Sequence, residues 1–229
     1  MYLELALPDY PLAFDPRRDP AVERARFPSM IELYWGLVGP DSLPPRQGMF
    51  MAAVAAHETL AGLPRDAVMA RAGRTYPSLV RQHHFEFLLR ERFPFVLRGH
   101  ELDLAGLDFL LFRGNRGYGV GLSVETDVGH TWHTVKDRRH GELPIPVLDL
   151  YADPEAYRVG RFWLHPPEDV ARVEAFIERE EARVFEYAEF ALDDVYKATK
   201  RRPRCSRSDF NSGFLAAVAH LRAALRGGW

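Results

Sequence analysis

The change of hydrophobic period at Pro94 constrains this chain more than any other feature of its sequence. Before it, apolar residues recur at helical spacing. After it they come in short runs, and two of these, Asp103 to Phe112 and Tyr118 to Glu125, flank Gly114-Asn115-Arg116-Gly117. Apolar runs separated by a short Gly/Asn segment predict a β-hairpin, because those residues adopt the positive φ that a tight turn between twisted strands requires. Phe95 to Leu97, Ile145 to Tyr151 and Arg161 to Leu164 are predicted as further strands. Helices, three strands, a connection, a strand and closing helices point to a mixed α/β core behind a helical N-terminal lobe.

The helical part is cut by Pro and Gly. Ala21 to Val38 carries Val22, Phe27, Met30, Ile31, Tyr34 and Leu37 on one face and is interrupted at Pro28. Gln47 to Leu60 is stopped by Gly62-Leu63-Pro64, Asp66 to Ala72 is a short helix, and Pro77 to Arg92 is a stronger one. Gly73 between the last two admits a helix-turn-helix reading, although an apolar second helix suits burial better than a DNA groove. Glu168 to Ala198 and Asn211 to Leu225 read as closing helices. The expected organisation is therefore a helical lobe over 1–75, an α/β core over 76–165 and C-terminal helices over 166–229.

Composition narrows the function. Thirty Lys and Arg stand against 32 Asp and Glu, a net charge of −2, so any nucleic-acid site has to be a local patch. One cysteine, Cys205, excludes an intramolecular disulfide and a cysteine-based zinc cluster. The longest apolar run, Met49 to Ala56, is too short to span a bilayer, and Met1 to Pro11 lacks the basic start of a secretory signal. A cytoplasmic protein without membrane contact is expected. Neither a Gly-rich phosphate loop nor a nucleophile-elbow serine occurs.

The chemistry is argued from strand register. With the turn centred on Asn115-Arg116, Asp108 faces Ser123 and Glu125 is its diagonal neighbour on the same sheet face. Diagonal Cβ atoms lie roughly 7 Å apart, a span over which two carboxylates share Mg²⁺ or Mn²⁺. Gly119, Gly121 and Ser123 share that face and leave room for a ligand or for close packing.

A helix with an acid (His83-His84-Phe85-Glu86), a strand Gly106-Leu107-Asp108-Phe109-Leu110-Leu111, a turn, a strand Gly119-Val120-Gly121-Leu122-Ser123-Val124-Glu125 and a later strand resemble the PD-(D/E)XK restriction-endonuclease-like superfamily. The resemblance spans Pro77 to Tyr151. It implies an α-β-β-β-α-β core with a mixed sheet and metal-dependent hydrolysis of phosphodiester bonds in DNA. Carried over, Asp108 and Glu125 are metal-binding and catalytic acids and Glu86 is the helical metal acid. The family's lysine, two positions after the second acid, is matched by Asp127. If Gly121 takes the second acid's place, Ser123 replaces the lysine and both groups are missing. Lys136, one of only three lysines with Lys197 and Lys200, is the nearby substitute for stabilising charge.

Other features compete or add. His130, His133 and His140 follow Glu125 and Asp127 and would suit a transition metal in a hydrolase of a small substrate. Arg138 and Arg139 form a small basic turn. From Glu168 to Asp194 ten acids meet three Arg, whereas Lys197, Lys200, Arg201, Arg202, Arg204 and Arg207 bring six bases and no acid to 197–207. Six bases exceed what a helix C-terminus needs, so a nucleic-acid contact is expected there. The acidic helix is long enough for a homodimer or protein-partner interface. The leading expectation is a Mg²⁺- or Mn²⁺-dependent nuclease. The rival is a catalytically inactive nuclease-like module that binds nucleic acid or a protein.

Overall fold

Pro28 divides the first helical run, and side chains cap both pieces. The computed structural model describes residues 6–39, 42–114, 116–124, 143 and 145–182. Helix α1 (Pro20–Arg24) starts with Pro at a position whose N–H has no helical partner anyway, and the Asp19 carboxylate accepts from the amides of Ala21 and Val22. Helix α2 (Met30–Gly36) is capped by the Ser29 hydroxyl, which accepts from Glu32 N. Helix α3 (Gln47–Ala55) follows.

The next helix corrects the sequence reading. Helix α4 runs unbroken from Arg65–Arg90, through both Gly73 and Pro77, so there is no turn between two helices and the helix-turn-helix expectation fails. Pro77 has no N–H for the Gly73 carbonyl, four residues earlier. That carbonyl instead accepts from Gln47 Nε2 at 3.2 Å. Gly73 allows the approach, because a Cβ there would lie 3.3 Å from Met51 Sδ. Residues 75 and 76, the expected lobe boundary, fall inside this helix.

One continuous helix therefore serves two cores. Val68, Ala72, Tyr76, Leu79 and Val80 on its first half pack with Ile31, Tyr34, Phe50, Val54 and Phe162. Phe85, Leu88 and Leu89 on its second half pack against the sheet. Each fully buried Phe contributes roughly 1.5–3 kcal/mol relative to exposure.

The sheet has the order β1-β2-β3-β4, formed by β1 (Val96–Leu97), β2 (Phe109–Arg113), β3 (Arg116–Val124) and β4 (Val147–Ala152). The first two pairings are antiparallel and β3 pairs with β4 in parallel. A separate two-stranded ribbon joins β5 (Arg158–Val159) to β6 (Phe162–Trp163), and helix α6 (Glu168–Ala182) comes after it. Val173, Phe176 and Ile177 of α6 cover the same sheet face as α4, against Phe109, Leu111, Val120 and Leu150. On the other face Leu110 packs with Leu102, Leu107 and Ile145.

The run read as one strand over Asp103 to Phe112 is in part helical. Helix α5 (His100–Ala105) ends at Gly106, which adopts φ +87°, and the amides of Gly106 and Leu107 bond back to the carbonyls of Asp103 and Leu102. This is a Schellman stop, completed by burial of Leu102 with Leu107. Leu107 thereby joins the face of Leu110, whereas the strict alternation of an unbroken strand would set it with Phe109.

The hairpin register also differs from expectation. Arg113 pairs with Arg116 across a two-residue turn, and Phe109 pairs with Val120. Gly114, with φ +59°, supplies the left-handed residue that a two-residue hairpin favours. The strands thus meet two residues short of the predicted pairing, and Asp108, instead of facing Ser123, lies just outside the paired run, its amide donating to Val120 O beside Phe109. Among the described residues, no helix is long and apolar enough to cross a membrane.

Candidate functional site

Asp108 stands where the Schellman stop hands the chain to β2. It is 4% exposed, its amide donates to Val120 O at 2.9 Å, and its Oδ2 accepts from Leu122 N at 2.6 Å. Its Oδ1 accepts from Gln82 Nε2 on α4. The carboxylate therefore ties the long helix to the hairpin, with a donor on each oxygen. Gly119, expected to leave space beside Asp108, does not: a Cβ there would meet Leu107 Cδ2 at 2.8 Å, on the face that Leu107 shares with Leu110.

Two further buried groups adjoin Asp108. Arg81 on α4 donates from Nε to Trp163 O at 3.0 Å. Burial pulls its guanidinium down to about 10, against the opposing charge of Asp108. His165, in the connection from β6 to α6, is 0% exposed, and its Nδ1 lies 2.8 Å from Asp169 Oδ2. Its ring sits 5.2 Å from that of Phe85. Burial holds this imidazole below the usual histidine range despite the bond to Asp169. Burial works against ionisation of Asp169, yet its hydrogen bonds with His165 and Arg172 outweigh that and keep its carboxyl below the usual range. Arg172 Nη1 contacts Asp169 Oδ1 at 2.8 Å.

Glu86 occupies a different network, one turn along α4 from Gln82. It is 4% exposed and pairs with Arg90 Nη2 and with Arg98 Nε, each at 2.7 Å. The Arg98 guanidinium also lies 3.6 Å from the centre of the Trp35 ring. Trp35 in turn stacks on His83, whose Nδ1 is 3.0 Å from Tyr34 Oη. Burial is the main reason that His83 falls to about 4, with Arg98 and His84 adding to the effect and a backbone bond at Ser42 opposing it.

These contacts bear on the expected metal set. Both oxygens of Asp108 are engaged by protein donors, and two arginines neutralise Glu86. Among the described residues, no group of three or more His, Cys, Asp or Glu side chains is placed to hold a metal ion. The two described acids do not fit that role, so no catalytic step is derived through a metal. Glu125, Lys136, Arg138, Arg139, His130, His133, His140, Lys197, Lys200, Arg201, Arg202 and Arg204 lie outside the described residues.

Sequence reasoning passed over Arg81, Gln82, His165, Asp169 and Asp149. The spacing of His165 and Asp169 around Pro166-Pro167, at the start of a helix, was a readable signal. Asp149 was not readable, because only the parallel register sets it beside Gly121.

Comparison of the chain with protein-family models, with curated proteins and with solved structures finds no match.

Proposed function

We propose that this protein is a non-catalytic, nuclease-like α/β module that binds DNA. The order α4, β1, β2, β3 and a later β4 in a mixed sheet supports a nuclease-like core, with α5 as an insertion between β1 and β2. The observation that carries the non-catalytic reading is the state of Asp108. Its two oxygens serve Gln82 and Leu122, so protein donors already occupy the positions that a metal would need.

DNA affinity is assigned to the basic segment 197–207, whose six positive charges interrupt an otherwise acidic C-terminal third. Neutralising several phosphates releases condensed counterions, so binding weakens steeply as salt rises.

The test uses fluorescent single-stranded and duplex DNA, with Mg²⁺, Mn²⁺ or EDTA, on wild type and on a variant with Lys200, Arg201, Arg202 and Arg204 changed to Ala. Metal-independent binding without cleavage is expected, with a salt slope shallower by about four in the variant. Metal-dependent cleavage that Asp108→Asn abolishes would replace this reading with the nuclease. Unaltered binding by the fourfold variant would remove the basic segment from the interface.

A further inference from the structure

The side chain that the proposed function leaves unexplained is His165. It is completely buried, it joins β6 to α6, and one of its two nitrogens is unused. Asp169 is ionised and can only accept, so Nδ1 carries the proton and donates to it. Nε2 then holds a lone pair, and it has no hydrogen-bond partner among the described residues. The imidazole is wedged against Phe85 of α4, at the point where α6 enters the sheet-facing core.

We propose that His165 is a proton-operated latch, which holds the first turns of α6 on the core while neutral and releases them when protonated. A second proton would add an N–H and a positive charge at Nε2, where no acceptor stands among the described residues. The charged groups around it come from three elements. Arg81 on α4 opposes protonation, Asp169 on α6 and Asp108 at the start of β2 favour it, and Arg172 competes for Asp169. Desolvation outweighs the two carboxylates. The relaxed state hydrates Nε2 by moving the Leu164-His165-Pro166-Pro167 connection outward, which uncovers Val173 and Phe176.

The linkage has a definite sign. An exposed imidazole titrates near 6.5, and the closed site resists the proton that the open one takes up. Lowering the pH from about 7.5 to about 5.5 therefore favours opening, by up to about tenfold, the limit set by titration of the open imidazole.

Amide hydrogen exchange on the full chain tests this, after correction for the intrinsic pH dependence of exchange. In wild type, protection over residues 169–177 is expected to fall by up to about tenfold more between those pH values than that of 85–89 on α4, which reports the loss common to the whole fold. His165→Gln keeps a donor for Asp169 but does not titrate, and its α6 protection is expected to fall no more than that of 85–89. Equal loss in wild type and variant, or no loss in wild type, would overturn the latch. Should the variant fail to fold, ¹⁵N titration of the wild-type ring decides: an ordinary or raised midpoint overturns the proposal, and a depressed one that tracks α6 opening upholds it.

Discussion

Gln47 Nε2 donates to the carbonyl oxygen of Gly73 at 3.2 Å, filling the place that Pro77 leaves without its helical donor. The same amide group donates to Ala13 O at 2.9 Å and accepts from Ala13 N at 2.7 Å. One buried side chain thus repairs the long helix and anchors the N-terminal segment. Gln47→Leu is expected to cost about 2–4 kcal/mol in urea unfolding, since it strands several backbone groups. Pro77→Ala restores the helical N–H, so the double variant should lose less than the sum of the single losses. Strict additivity would show that the Gln47 bond does not compensate for Pro77.

Gly160 and Gly114 share φ +59° but not their surroundings. A Cβ on Gly160 would stand 2.9 Å from Pro8 Cα, a backbone atom that cannot move aside alone, whereas Gly114 faces open space. Gly114→Ala is expected to cost about 1–2 kcal/mol, the penalty of the left-handed conformation. Gly160→Ala should cost clearly more, and thermal unfolding of the two variants measures the difference. Equal losses would mean that the ribbon and the N-terminal turn are not in tight contact.

Glu86 holds a cation that sits partly inside the protein. Burial pushes the Arg98 guanidinium below its ordinary value, while Glu86 works to raise it. Glu86→Ala leaves Arg98 between Trp35 and the core without its counter-charge. A loss of about 2–3 kcal/mol is expected, below the usual figure for a fully buried pair because Arg98 retains some solvent. Adding Arg98→Met should recover part of it, as measured by a double-mutant cycle.

His83 imposes a pH dependence of its own. Its folded-state value of about 4 lies below the ordinary 6.5, so the unfolded chain binds its proton first. The stability it confers is complete above about 6.5 and is lost as pH falls toward 4. At about 1.4 kcal/mol per pKa unit this amounts to roughly 3 kcal/mol at most. Urea unfolding from about pH 7 to about pH 4 should fall less steeply for His83→Gln than for wild type. Parallel profiles would contradict the assignment.

Much of the fold was legible because it rests on local rules. Pro28 broke a helix, the Gly/Asn turn made a hairpin, and the two strands beside it formed. What escaped was decided by partners distant in sequence. Pro77 read as a helix start because nothing near it announces that Gln47 supplies a donor to Gly73. The alternation around Leu107 failed because Gly106 closes a short helix just before β2. A two-residue turn moved the strand pairing by two residues, which takes Asp108 away from Ser123 and leaves it just outside the paired run. Asp108 was singled out as a metal acid on an open strand face, whereas its donors, Gln82 and Leu122 N, come from elements whose positions only the tertiary structure sets.

Asp108 acts as a structural clamp, and stability separates that role from metal binding. Urea unfolding of wild type and Asp108→Ala, each in EDTA and in Mn²⁺, tests it most directly. Removing the carboxylate strands Leu122 N and Gln82 and deprives Arg81 of its nearby counter-charge, so a loss of about 3–5 kcal/mol is predicted, with no dependence on metal for either protein. A metal acid behaves in the opposite way: Mn²⁺ would stabilise wild type alone, and Asp108→Ala in EDTA would be as stable as wild type or more so. That result would contradict the account and return Asp108 to a catalytic centre.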